Sequence, residues 1–192
     1  METENRKAQV YHERQRLQFC LLHALNNLFQ EADVFTRSSL NSVSQKLVAG
    51  DPDDRSGHWS PLSVVFKPHH NALTGNYDVN VLIAAVEEKG KAVVWHDKRN
   101  GAASICLDGD DDGDDDGGVL FGIVVNVHVK RYIGLWKGRH WVALKKIGGV
   151  WYNLDSDLHK PMKFASSDEV REFLDFVMGQ GAEVLLVMNK TD

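Results

Sequence analysis

Cysteine is almost missing from this sequence: 192 residues contain two, Cys20 and Cys106. Two thiols with no repeated spacing can build neither a disulfide framework nor a four-cysteine zinc site, so a reducing, intracellular setting, cytoplasmic or nuclear, is expected. Long apolar runs are lacking as well. The longest, GVLFGIVVNV, falls well short of the roughly 20 residues a membrane span needs, and the polar start METENRKAQV has no apolar h-region. No basic stripe with interleaved aromatics occurs, which argues against nucleic acid as a partner. The formal charge of -5 comes from one place. Seven aspartates crowd into residues 108–116, and without them the remainder would carry +2. That stretch, DGDDDGDDDGG, begins like an EF-hand loop, but the twelfth position is Val119 where a bidentate glutamate belongs, so a solvated acidic loop is expected rather than a calcium site.

What is present is one ordinary globular domain with no internal repeat, 43% hydrophobic and 26% charged. Helical spacing of Leu17, Leu21, Leu25 and Leu28 predicts a helix to Phe29, and a second is expected from Ser39 to Ala49 behind a serine cap. Asp78 can cap a third that stops at Gly90. Gly50 to Asn76 reads as loop. AVVWHD, VLFGIVVNV, HWVALKKI, VWYNLDS and EVLLVM are β-branched and aromatic, and Ser166 with Glu169 makes a capping-box pattern before EVREFLDFVM. Helices first and strands later predict an α+β domain.

Gly148-Gly149 can supply a two-residue hairpin turn between HWVALKKI and VWYNLDS. Ile147 then faces Val150, and continuing the register sets His140 opposite Asp157 and Val142 opposite Asp155. Strand alternation predicts His140, Val142, Asn153, Asp155 and Asp157 on one face, with Asp155 diagonal to His140. Such a pair can serve a thiol. A nucleophilic cysteine needs a base, and the base needs a group that holds its tautomer. Cys20 stands at a predicted helix start, where the thiolate is favoured. Gln15, five residues earlier, could join the Cys20 backbone N–H as an oxyanion donor. His23, one turn after Cys20, is the local rival base, and Asp157 rivals Asp155. Cys106 reads as incidental, and the other histidines as surface or satisfied groups without metal-ligand spacing.

These residues amount to a resemblance. YHERQRLQFCLLHALNNLFQ is similar to the amino-terminal signature of the Josephin family of deubiquitinating cysteine proteases. GNYDVNVLIAAVEEKGKAVVWHDKR, GRHWVALKKIGGVWYNLDSDL and the closing EVREFLDFVM to EVLLVM extend it from about Val10 to Met188. The resemblance implies a papain-like α+β fold, a helical subdomain on a mostly antiparallel sheet, over residues 10–188. Residues 1–9 and 189–192 would be tails, and 108–118 an acidic insert that departs from the family pattern. It also implies cleavage after the carboxyl-terminal glycine of ubiquitin, with Cys20 as nucleophile, His140 as base, Asp155 as orienting residue and Gln15 as oxyanion donor. Ubiquitin and ubiquitinated proteins would be the partners of a monomer that needs no cofactor or metal, and Trp141 would be a plausible groove wall. A ubiquitin-binding module with weak or no turnover is the alternative.

Overall fold

The computed structural model describes residues 9–15, 19–50, 70–71, 76–108, 120–131 and 136–190. The acidic stretch beyond Asp108, the residues Arg16, Leu17 and Gln18 before the first helix, and most of the segment read as loop between Gly50 and Asn76 lie outside them.

Helix α1 (Cys20–Phe29) starts with the thiol itself and has no side-chain cap. It ends where Gln30 takes a left-handed conformation at φ 58°. Helix α2 (Arg37–Gly50) begins two residues earlier than its sequence suggests. The cap is Thr36 rather than a serine: its Oγ1 accepts from the Ser39 N–H at 3.1 Å, and Ser39 Oγ accepts from the Thr36 N–H at 2.9 Å. A short hairpin, β1 (His70–Asn71) and β2 (Asn76–Tyr77), leads into α3 (Val79–Glu87). Asp78 caps α3 as expected, accepting from the N–H groups of Asn80 and Val81 at 2.9 and 3.1 Å.

The remaining elements are β3 (Lys91–Trp95), two short 3-10 turns at Lys98–Asn100 and Ala102–Ser104, β4 (Leu120–Arg131), β5 (Trp136–Ile147), β6 (Val150–Asn153), β7 (Met162–Lys163), α4 (Ser167–Gly179) and β8 (Glu183–Asn189). Six of the strands form one antiparallel sheet in the order β3-β8-β4-β5-β6-β7. The fold is α+β, with four α-helices and a six-stranded antiparallel sheet among the described residues, consistent with a papain-like arrangement. Alternation along the central strands separates two cores. Val124, Trp141 and Ala143 pack with Leu21, Leu25 and Leu28 of α1 and with Val81 and Leu82 of α3. Ile123, Val125, Val142 and Leu144 pack with Val170, Leu174 and Val177 of α4. Ser166 caps α4, and its Oγ accepts from the Glu169 N–H.

Gly122 fixes the height of α1 over the sheet. A Cβ there would lie 2.5 Å from Leu28 Cδ1 and 3.0 Å from the Leu144 carbonyl oxygen, so only a bare backbone admits the helix this closely. With Leu28 over Gly122, α1 extends about 12 Å back to Cys20, and four residues of β4 extend about 13 Å to Asn126. Val127 of β4 pairs with His140 of β5. The helix start and the histidine therefore occupy the same end of the sheet.

Candidate active site

The hairpin arithmetic holds. Gly148 and Gly149 have φ of 55° and 77°, the left-handed pair such a turn demands, and Ile147 pairs with Val150 through to Leu144 with Asn153. Leu154 N–H still reaches the Ala143 carbonyl at 2.8 Å, and then the ladder stops. Asn153 Oδ1 accepts from the Asp155 N–H at 2.9 Å, and Asp155 Oδ1 from the Asp157 N–H at 2.9 Å. Two consecutive Asx turns peel the chain off the sheet. Asp155 and Asp157 are therefore not strand residues facing Val142 and His140. Because β6 ends there, His140 lies on a stretch of β5 that pairs with β4 alone.

The turn brings Asp155 closer to His140 than an ideal ladder would. The imidazole Nε2 lies 2.6 Å from Asp155 Oδ1 and 3.8 Å from Asp157 Oδ2. Asp155 makes the hydrogen bond; Asp157, whose side chain is 48% exposed, stands outside it. The other ring nitrogen, Nδ1, is buried and has no hydrogen-bond partner among the described residues. Burial alone would push the imidazole's proton affinity down. The hydrogen bond to Asp155, the interaction with Cys20 and the charges of both outweigh it and raise His140 from 6.5 to about 10. Burial likewise pushes the Asp155 carboxyl up, but the His140 hydrogen bond and charge prevail, with the Asp157 N–H and His12 adding to them, and hold it below the usual carboxylate range.

Cys20 is the first residue of α1 and is 5% exposed. With no cap, its N–H and those of the next residues point out of the helix start without intrahelical acceptors. Gln15 is half-buried. Its backbone N–H donates to the Ser156 carbonyl at 2.8 Å, beside Asp155, while its side-chain Oε1 is buried and has no partner among the described residues. The structure thus ties Gln15 to the segment carrying Asp155 and couples Cys20 to His140.

Other assignments sort themselves by contact. His23 Nδ1 lies 2.6 Å from Glu13 Oε2, so its carboxylate partner is in the amino-terminal segment and it is not the imidazole coupled to Asp155. Cys106 is exposed. Trp141 is no groove wall: it is 2% exposed and its indole N–H donates to the Tyr77 carbonyl at 3.3 Å. His12, read as a surface or satisfied group, donates from Nε2 to the Asp155 carbonyl at 3.0 Å. Among the described residues, His140, Asp155 and Asp157 form the group that could hold a metal ion, each offering one ligand atom within 4.8 Å of the others. Among the described residues no helix is long and apolar enough to cross a membrane.

Comparison with known proteins gives this geometry a family. The Josephin family model matches residues 15–188. A Josephin-like protein of Arabidopsis thaliana is 63% identical over 169 residues, which is 88% of this chain and 44% of that protein. Josephin-2 of Mus musculus is 38% identical over 187 residues, 94% of this chain and 87% of the relative. An ataxin-3 homolog of Arabidopsis thaliana is 25% identical over 196 residues. The chain thus spans less than half of the first relative and most of the second. With the family model covering nearly the whole chain and a 38% identical relative covered almost end to end, this protein belongs to the Josephin family, whose domain is of the deubiquitinating type.

Proposed function

We propose that this chain is a ubiquitin thiol hydrolase that cleaves the peptide or isopeptide bond after ubiquitin's carboxyl-terminal glycine. The observation that carries the reading is the His140 ring. One nitrogen is held by Asp155 at 2.6 Å, and the other is buried, without a partner among the described residues, and left to Cys20, which interacts with the ring. Asp155 fixes the tautomer that keeps the proton on Nε2, so Nδ1 is the atom that takes the thiol proton. With its raised proton affinity, His140 holds the proton it takes from the thiol. Cys20 Sγ attacks the glycine carbonyl, and a carbon–sulfur bond forms as the carbonyl electrons move to oxygen. The oxyanion is received by the Cys20 N–H at the uncapped helix start and by the Gln15 side-chain amide. His140 then gives its Nδ1 proton to the departing amine. Water, deprotonated by the same nitrogen, hydrolyses the thioester and frees the glycine carboxylate.

Ubiquitin carrying a carboxyl-terminal electrophile tests this directly. We expect a stoichiometric adduct on Cys20, and neither adduct nor hydrolysis with Cys20→Ala, which keeps the helix because alanine is favoured there. Labelling of Cys106 instead, or full hydrolysis by Cys20→Ala, would overturn the assignment. Binding without adduct would leave a ubiquitin-binding module.

A further inference from the structure

Nucleophile, oxyanion donor and orienting residue come from three separate segments, and something must hold them in register. Asn27 of α1 is fully buried and uses its whole carboxamide. Oδ1 accepts from the Glu13 N–H at 2.5 Å, and Nδ2 donates to the Glu13 carbonyl at 3.1 Å and to the Leu154 carbonyl at 3.0 Å. Glu13 is two residues before Gln15, and Leu154 immediately precedes Asp155. Seven residues after Cys20, Asn27 is rotated about 700° around the helix, roughly 20° short of two full turns, so both lie on one face of α1. The two segments it grips also bond to each other. His12 Nε2 donates to the Asp155 carbonyl, and the Gln15 N–H to the Ser156 carbonyl. The result is a short pseudo-strand pair with an asparagine side chain as its third member.

We propose that Asn27 is a positioning residue for the reaction: it locks the Gln15 segment and the Asp155 turn to the helix face that presents Cys20. This rests on the thiol-hydrolase reading above, and it predicts a defect in chemistry rather than in ubiquitin capture. A displacement of about 1 Å in a catalytic group can cost on the order of 10²-fold in rate. Both the oxyanion donor and the orienting carboxylate depend on this one amide.

The neighbouring Asn26 provides a matched control. It is 2% exposed, and its amide clamps Phe35 through the N–H at 2.9 Å and the carbonyl at 3.2 Å, with a further bond to the Glu13 carboxylate. It makes no bond to the Leu154–Ser156 segment. The test compares Asn27→Ala, the gentler Asn27→Ser, and Asn26→Ala, each with Cys106→Ser so that one thiol is read. Kinetics are measured on a ubiquitin amide, well below each variant's melting temperature. Cys20 alkylation by iodoacetamide is followed against pH without ubiquitin.

The Asn27 variants should lose about 30- to 100-fold in kcat, with KM within about threefold of the parent. The rise of their alkylation rate with pH should also move to higher pH, because a displaced Asp155 no longer holds the imidazolium that favours the thiolate. Asn26→Ala should lose stability yet keep kcat and the profile. Three results would overturn the inference: folded Asn27 variants with parental kcat and profile, an equal kcat loss in Asn26→Ala, or failure of both Asn27 variants to fold while Asn26→Ala folds. If the parent does not hydrolyse the ubiquitin amide, the functional reading fails, and the alkylation profile still decides whether Asn27 controls the Cys20–His140 pair.

Discussion

Replacing Asp155 removes the group that holds His140 and separates two contributions. In Asp155→Asn the side-chain oxygen can still accept from Nε2–H, so the tautomer survives and only the charge is lost. A hydrogen bond to a charged group contributes about 1.5–3 kcal/mol and a neutral one about 1, so this variant should lose roughly tenfold in kcat/KM. Asp155→Ala loses tautomer control as well and leaves a buried imidazole unsupported, a loss on the order of 10² to 10³. Asp157→Ala removes a half-exposed carboxylate at 3.8 Å, a contact of about 1 kcal/mol at most, and should cost no more than about fivefold. The pH profile gives a second reading with a definite sign. Because Asp155 helps to raise His140 to about 10, the parent should keep its imidazolium up to that range, and activity should fall only as pH rises through it. Without the carboxylate the falling limb must move to lower pH, further in Asp155→Ala than in Asp155→Asn. Turnover of a ubiquitin amide by the three variants, measured from pH 6 to about 10.5, decides the matter. An unmoved alkaline limb in Asp155→Ala, or a larger loss in Asp157→Ala, would show that the 2.6 Å contact does not govern the base.

Gln15→Ala should lower kcat by about 10² to 10³ while ubiquitin affinity is retained, since the amide is needed only when negative charge develops on the carbonyl oxygen; equal losses in binding and turnover would remove it from the oxyanion site. Gly122→Ala should lower the melting temperature by about 2–10 °C, corresponding to about 1–3 kcal/mol of overpacking against Leu28 and the Leu144 carbonyl. An unchanged melting temperature in a calorimetric scan would mean that α1 does not depend on this close approach.

The parts of the fold that were legible in the sequence are those fixed by neighbours along the chain. The Gly148-Gly149 turn, the Asp78 cap and the Ser166–Glu169 pattern each rest on residues within a few positions of one another, and each forms. The serine cap of α2 was misplaced because Thr36 and Ser39 bond reciprocally and the threonine is the outer partner. Apolar spacing continues the expected helix back to Leu17, which lies outside the described residues, while α1 begins uncapped at Cys20. Strands β4 and β5 run beyond their apolar cores because pairing carries polar residues such as His128 and Arg139 into the ladder. Sheet order lies further from view. Strand β8, last in the chain, inserts between β3 and β4, and nothing local to its sequence specifies that choice.

The site shows the same division more sharply. Hairpin parity was enough to bring a carboxylate to His140, but it could not choose between Asp155 and Asp157, since both belong to the same alternation. The choice is made after the ladder ends, by Asn153 accepting from the Asp155 N–H and turning the chain inward. A strand that continued would have left Asp157 directly opposite the base and Asp155 one diagonal away. Asn27 was visible only as part of a family signature, because a buried asparagine in a helix has no periodic or compositional mark. Its partners, Glu13 and Leu154, stand 14 residues before it and 127 after it, and it contacts their backbone rather than their side chains. A backbone contact places no constraint on the identity of Glu13 or Leu154 that a reader of the sequence could detect. The alignment proposed for Gln15, Cys20 and Asp155 would therefore be carried by a side chain whose recognition target is silent in the sequence.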